Sequence, residues 1–164
     1  MQKILIIDDE LFSREFVSDN LKIAGYSSIS ASGGKEGLNI LKKETGSISV
    51  ILLDIVMPGM DGLETLEKIK EIDPKIPVIM MTADADEELV LRALKNGAFD
   101  YLAKPLYIDE LLLSTKRAFD HYRLVMQNEE KIKQLKNLEV GAQGLVELAK
   151  GSIRIEAVME NNKL

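Results

Sequence analysis

The chain has 164 residues, 46% of them hydrophobic, with no cysteine and a net charge of −6, which suits one ordinary domain and a further segment. The lack of cysteine excludes disulfides and thiolate metal sites and favours a reducing cytoplasm, and no apolar run reaches the roughly 20 residues that a membrane helix needs. All of the acidic excess lies in residues 1–119, which disfavours direct binding of nucleic acid and favours a domain that collects divalent cations.

Short β-branched segments alternate with helical patterns along the first 120 residues. The predicted strands are Lys3–Ile7, Ser27–Ala31, Ser49–Leu53, Ile76–Met81 and Phe99–Ala103. The predicted helices are Leu11–Ala24, with Phe12, Phe16 and Ile23 on one side, then Lys35–Glu44, Leu63–Ile72, Glu87–Asn96 and a fifth that begins near Ile108. Five alternations imply right-handed crossovers, so the predicted fold class is α/β, a doubly wound parallel sheet with helices on both faces.

Polar residues stand where the predicted strands end. The first strand leads to Asp8-Asp9-Glu10, the third to Asp54, the fourth to Thr82 and the fifth to Lys104. Because ligands bind at the carboxyl ends of the strands in an open parallel sheet, we expect these groups to converge. Clustered carboxylates repel each other unless a cation lies among them, and oxygen ligands without His or Cys select a hard ion, Mg²⁺ first and Mn²⁺ or Ca²⁺ next. A carboxylate beside such an ion can attack phosphorus and become an aspartyl phosphate.

Each of these residues alone has an ordinary structural explanation. The Asp8-Asp9-Glu10 segment could cap the next helix, as Thr82 could, and Asp54 could belong to a turn. Lys104 alone would be read as a surface lysine, and Tyr101 as a half-buried strand aromatic. Complementary groups at several strand ends, taken together, favour a functional site over separate coincidences.

Four pieces of sequence occur in order along the first 120 residues. They are Asp8-Asp9, the segment LDIVMPGMDG at residues 53–62, Thr82-Ala83, and the segment DYLAKP at residues 100–105. With these pieces the chain resembles the receiver domain of two-component response regulators, in the CheY-like superfamily. The resemblance implies a five-stranded sheet of order 2-1-3-4-5, a receiver domain over residues 1–120, and a phosphoryl donor that is a sensor histidine kinase or a phosphotransfer protein.

The resemblance also implies a role for each acidic residue. Asp54 would be the phosphoacceptor. Asp9 and Asp54 would ligate Mg²⁺ directly together with the backbone carbonyl of Val56, with Mn²⁺ as an alternative ion, and Asp8 would act mainly through metal-bound water.

Three further residues carry roles by the same resemblance. Lys104, followed by a cis peptide bond to Pro105, would pair with the phosphate. Thr82 would move toward the phosphate, and Tyr101 would turn inward behind it, so that these two residues form the switch.

Two positions depart from what a fast hydrolytic site would need. The residues two after Asp54 and Thr82 are Val56 and Asp84, and in this family they flank the water that attacks the phosphoaspartate. Val56 has no hydrogen-bonding side chain and Asp84 is short, so the lifetime of the phosphorylated state is not predicted.

Two other functional classes fit parts of the same residue pattern. An Mg²⁺-dependent aspartate-nucleophile phosphatase would need its two acids two residues apart after the first strand, whereas Asp8 and Asp9 are adjacent. A flavodoxin-like binding module would need a phosphate-cradling loop there, and the acids would repel a phosphate. Both readings are therefore less favoured than the receiver domain.

Residues 121–164 form a predicted helical tail, or signalling-helix linker, that matches no output domain. The single histidine, His121, is interpreted as a surface or interface residue. A partial heptad runs through Val125, Ile132, Glu139, Val146 and Ile153 with Asn128, Leu135, Ala142 and Ala149. Three glycines, Gly141, Gly144 and Gly151, are predicted to interrupt the helix. A homodimer through residues 108–140 is favoured over a helix packed on the receiver or a disordered segment, and an output domain beyond Leu164 stays open.

Overall fold

The computed structural model describes residues 2–83 and 86–161, with no description of the side chains of 153–158 and 161. Strands and helices alternate along the chain as follows: β1 Lys3–Ile7, α1 Leu11–Ile23, β2 Ser27–Ala31, α2 Gly34–Lys43, β3 Ile48–Asp54, α3 Gly62–Ile72, β4 Val78–Thr82, α4 Glu87–Lys95, β5 Asp100–Ala103 and α5 Ile108–Asn161. Contacts divide the chain into two units, one that ends at Leu124 and one that begins at Val125. None of the described helices has both the length and the hydropathy of a membrane crossing.

The five strands form one parallel sheet of order β2-β1-β3-β4-β5, which confirms the predicted fold class and strand order. β3 is buried along its whole length, as expected for a central strand covered on both faces. In the register of the sheet, Asp54 lies beside Met81, and Thr82 lies beside Ala103. The carboxyl ends of β1, β3, β4 and β5 therefore meet at one edge.

Alternate strand residues point to opposite faces and build two cores. On one face, Leu5, Ile51 and Val78 belong to a cluster with Leu38 of α2 and Leu66 of α3. On the other face, the cluster consists of Ile4, Ile6, Val50, Leu52, Ile79, Met81 and Leu102 from the sheet, with Val17, Leu21, Leu111 and Ala118 from α1 and α5. Both cores hold the strand ends rigidly in place, because the interior is packed from both sides.

α1 buries one face against the sheet. Val17 and Leu21 are fully buried, whereas Phe12 and Ile23 are 79% and 85% exposed, and Phe16 packs against the core only in part. At about 3.6 residues per turn, Val17 and Leu21 lie one turn apart on one face, and Ile23 is more than half a turn away from Leu21. Phe12 and Ile23, which the sequence pattern places on one side with Phe16, therefore lie away from the buried face.

The glycines of the tail do not interrupt its helix. Gly141, Gly144 and Gly151 all lie within α5, which the structure describes through Asn161, so the predicted interruption is wrong. Each glycine costs about 1 kcal/mol relative to alanine, and three such costs spread over many helical residues leave the helix formers in the majority. Every described side chain from 126 to 152 is exposed, which leaves the apolar residues of the second unit facing solvent.

Candidate active site at the carboxyl edge of the sheet

Three aspartates meet at the carboxyl edge of the sheet. Asp8 follows β1 directly and Asp54 is the last residue of β3, and these strands are neighbours. Asp8 is fully buried and Asp54 is 4% exposed, while Asp9 faces solvent. One carboxylate oxygen from each of the three residues lies within 4.8 Å of the others. The predicted acidic cluster is thus brought together, with only oxygen donors, which is the donor set that hard divalent cations prefer.

The Lys104 ammonium lies between two of these carboxylates. Its Nζ donates to Oδ2 of Asp8 at 2.8 Å and to Oδ2 of Asp54 at 3.0 Å. The Lys104 amide donates to the Thr82 carbonyl at 2.7 Å, which holds this residue beside the end of β4. The bond from Lys104 to Pro105 is cis, as the family resemblance implies. One cation therefore compensates two buried anions from different strands.

Ser13 and Arg14, which the sequence pattern did not single out, also contact Asp8. The Ser13 hydroxyl donates to Oδ2 of Asp8 at 2.6 Å, and the Glu10 amide donates to Oδ1 at 2.9 Å. The Arg14 guanidinium donates to the backbone carbonyls of Asp8 at 2.9 Å and Asp9 at 3.1 Å. Their only sequence signal is a place in the first turn of the helix that follows the acidic pair.

Burial and hydrogen bonding act in opposite directions on the charges of the site. Burial raises the pKa of Asp8, but hydrogen bonds from Lys104, Ser13 and the Glu10 amide outweigh it and bring that pKa below its ordinary value. Burial also raises the pKa of Asp54, and there the Lys104 interaction offsets it only in part, so the pKa stays above its ordinary value. Burial by itself would lower the pKa of Lys104. The hydrogen bonds from its ammonium to Asp8 and Asp54 outweigh burial and raise that pKa above its ordinary value. Asp8 is therefore the more firmly ionised of the two carboxylates.

The loop after Asp54 is held close to the strand end. The Val56 amide donates to Oδ1 of Asp54 at 3.2 Å, and the Gly62 amide donates to the Ile55 carbonyl at 2.8 Å. A Cβ on Gly62 would collide with the Asp54 carbonyl oxygen, so only glycine allows this approach. The Val56 side chain is 62% exposed, and it brings no polar group to the site.

The remaining predicted site residues occupy different environments. Thr82 is buried at the end of β4, one residue beyond the neighbour of Asp54 in the sheet. Tyr101 lies on β5 with 43% of its surface exposed. His121 is exposed with its ring 5.2 Å from that of Phe99, as predicted for a surface residue. Asp84 lies outside the described residues.

A doubly wound sheet of order 2-1-3-4-5, with an aspartate after its first and at the end of its third strand and a lysine after its fifth, defines the CheY-like class of signalling domains. A family model of the response regulator receiver domain matches residues 4–116, and the chain belongs to this family. It is therefore a receiver domain of the two-component response-regulator type, and the phosphatase alternative is not favoured.

Relatives of this chain include transcriptional regulators. It is 43% identical over 118 residues to the DNA-binding transcriptional regulator NtrC of Klebsiella pneumoniae, a match that covers 72% of this chain and 25% of that protein. It is 37% identical over 125 residues to the C4-dicarboxylate transport transcriptional regulatory protein DctD of Rhizobium meliloti (strain 1021), covering 76% of this chain and 27% of that protein. The chain thus spans about a quarter of the length of these two relatives.

A solved structure has the same fold. The crystal structure of a response regulator receiver domain protein from Clostridium thermocellum superposes with a TM-score of 0.73 at 35% identity, and the match covers 76% of this chain and 99% of that one.

Proposed function

We propose that Asp54 accepts a phosphoryl group and that the domain changes conformation when it does so. The observation that carries this proposal is the Lys104 ammonium, which lies at 3.0 Å from Asp54 on the same edge as Asp8. In the reaction, a carboxylate oxygen of Asp54 forms a bond to phosphorus while the bond from phosphorus to the donor nitrogen breaks. The electron pair of that bond remains on the donor imidazole.

The cation of this site is proposed to be Mg²⁺, with Mn²⁺ as an alternative. Asp9 and Asp54 would ligate it with the backbone carbonyl of Val56, and Asp8 would reach it through bound water. Carboxylate oxygens within 4.8 Å of one another support this assignment, because like charges at that distance favour a cation among them. When bound, the ion neutralises charge that the phosphoryl group brings to the site.

The phosphoryl donor is proposed to be a sensor histidine kinase or a phosphotransfer protein, in the cytoplasm. Under this proposal the chain is not an enzyme with a substrate of its own, but a domain over residues 1–120 that assists its own phosphorylation and dephosphorylation, followed by a tail over residues 121–164. The relatives NtrC and DctD are named as transcriptional regulators, which favours transcription as the process that this chain controls.

The switch is proposed to consist of Thr82 and Tyr101. The buried Thr82 stands at the end of β4, where its hydroxyl can follow a phosphate oxygen on Asp54. Tyr101 is 43% exposed, so a turn inward would change the surface that β5 presents. Phosphorylation can shift this equilibrium only through bonds that differ between the two states, and phosphate bonds to Thr82 and Lys104 are of this kind.

The tail is proposed to pair with the tail of a second copy, through residues 108–140. The exposed apolar side chains of the second unit support this proposal, because a helix with an apolar stripe needs a partner to cover it. Those residues include Ile132, Leu135, Leu138 and Val140, each more than half exposed. Val125, Ile132 and Leu135 would supply the seam of the pair, and Asn128 would fix its register.

Phosphorylation by a small donor tests the central proposal. Acetyl phosphate with Mg²⁺ is expected to add one phosphoryl group to the wild-type chain, measured by intact mass. Asp54→Asn is expected to remain unmodified, while Asp61→Asn, which only caps α3, is the matched control and is expected to be phosphorylated. An Asp54→Asn protein that gains the group to the wild-type extent would show that the acceptor is another residue. A steady release of phosphate from small phosphoesters would instead favour a phosphatase.

A further inference from the structure

The carboxylate of Asp8 accepts hydrogen bonds from three donors of the protein. Oδ1 accepts the Glu10 amide at 2.9 Å, and Oδ2 accepts both the Ser13 hydroxyl at 2.6 Å and the Lys104 ammonium at 2.8 Å. The residue is fully buried. A buried carboxylate that loses its donors is costly, so the number of donors on Oδ2 matters for any rearrangement of the site.

Lys104 is shared between Asp8 and Asp54, whereas Ser13 serves Asp8 alone among the bonds that the structure describes. A phosphoryl group on Asp54 would attract the ammonium, and a move of Lys104 toward that group would break its bond to Oδ2 of Asp8. The Ser13 hydroxyl, on the first turn of α1, keeps its own bond to Oδ2. Oδ2 of Asp8 would therefore keep one protein donor, the Ser13 hydroxyl, after Lys104 has moved.

The surrounding backbone fixes Ser13 relative to Asp8. The Arg14 amide donates to the Glu10 carbonyl at 3.1 Å, and the Arg14 side chain donates to the carbonyls of Asp8 and Asp9. These bonds tie the first turn of α1 to the end of β1. The Ser13 hydroxyl is thus held at bonding distance from Asp8 by contacts that do not involve Lys104.

We infer that Ser13 is a positioning residue that holds Asp8 while Lys104 moves to the phosphoryl group on Asp54. The inference rests on the proposed function of Asp54, and it adds a residue that the family resemblance does not assign. Ser13 touches neither the phosphoryl group nor Asp54, so its effect passes through Asp8 and Lys104. Loss of the Ser13 hydroxyl is therefore expected to destabilise the phosphorylated state more than it weakens the binding of Mg²⁺ alone.

The test compares Ser13→Thr with Ser13→Val, which have nearly the same shape and differ in the hydroxyl. The affinity for beryllofluoride, a mimic of the phosphoryl group, is measured by calorimetry in saturating Mg²⁺, and the affinity for Mg²⁺ alone is measured separately. Ser13→Val is expected to bind beryllofluoride about tenfold more weakly, in keeping with the loss of one hydrogen bond to a charged group. Its Mg²⁺ affinity is expected to stay within about twofold of wild type, because Asp8 remains in place.

Ser13→Thr is expected to bind beryllofluoride as the wild type does. Ser18→Ala is the control on the same helix, because the Ser18 hydroxyl pairs with Ser28 at 3.0 Å and not with the site. Equal beryllofluoride affinities for the Thr and Val variants would overturn the role of Ser13 while leaving Asp54 as acceptor. A wild-type chain that binds Mg²⁺ but not beryllofluoride would overturn the proposed function, and this inference with it.

Discussion

Replacing Lys104 with methionine removes the one ammonium that lies between Asp8 and Asp54. Methionine keeps the length of the side chain and loses the charge, so the two buried carboxylates face each other without compensation. The lost bonds are 2.8 and 3.0 Å long, and a hydrogen bond to a charged group contributes about 1.5–3 kcal/mol. Since a buried carboxylate that loses its partner can shift its pKa and bind a proton, we expect the free energy of unfolding at pH 7 to fall by about 3 kcal/mol rather than by the full sum.

The decrease in the free energy of unfolding of Lys104→Met is expected to depend on pH. Asp8 has a lowered pKa in the folded protein, so its stabilising pairing with Lys104 is present above its unfolded pKa and disappears as pH falls through the folded one. Without Lys104 both carboxylates bind protons more readily in the folded state, so acid relieves their repulsion. The difference in stability between wild type and Lys104→Met is therefore expected to shrink as pH falls from 7 toward 3.

Urea unfolding followed by far-ultraviolet circular dichroism measures these stabilities, since the chain has no tryptophan. The measurement is made in EDTA and repeated with Mg²⁺, which is expected to stabilise Lys104→Met more than wild type because the ion takes over the role of the ammonium. Lys68→Met is the control, because its exposed pair with Glu64 at 3.5 Å contributes less than about 0.5 kcal/mol. A Lys104→Met protein as stable as Lys68→Met at pH 7 would refute this account of the site.

Three further outcomes are expected from the same structure. Mg²⁺ should raise the melting temperature of the wild type but not of Asp9→Ala, and equal shifts would argue against the acidic cluster as the ion site. Val56→Asn should change the rate of autodephosphorylation, because asparagine can orient water where valine cannot; identical rates would mean that the position has no influence. Light scattering should show a dimer for the whole chain and a monomer for a version that ends at His121, and a whole chain that stays monomeric at high concentration would leave the tail without a partner.

Much of the fold was predictable because strand and helix patterns differ in period. All five strands and the first four helices were expected within a few residues of their observed bounds, as was the start of α5, and the strand order followed from the family resemblance. The bounds of β4 moved from the predicted Ile76–Met81 to Val78–Thr82. The buried face of α1 did not follow from the pattern, because the pattern shows which residues are apolar but not which side of the helix the sheet covers. The predicted interruption of the tail helix at its glycines was wrong, because the free-energy cost of each glycine is local and the helix-forming residues around it outweigh that cost.

The sequence by itself predicted the acids and the lysine of the site, and the tertiary structure decided how they interact and which further residues join them. Acids after β1 and at the end of β3 must approach one another in a parallel sheet, since the carboxyl ends of its strands meet at one edge. The sequence does not show that Lys104 bridges Asp8 and Asp54, or that Ser13 shares the same oxygen of Asp8. Those contacts join residues up to 96 positions apart, and their geometry depends on how α1 and the loop after β5 pack against the sheet.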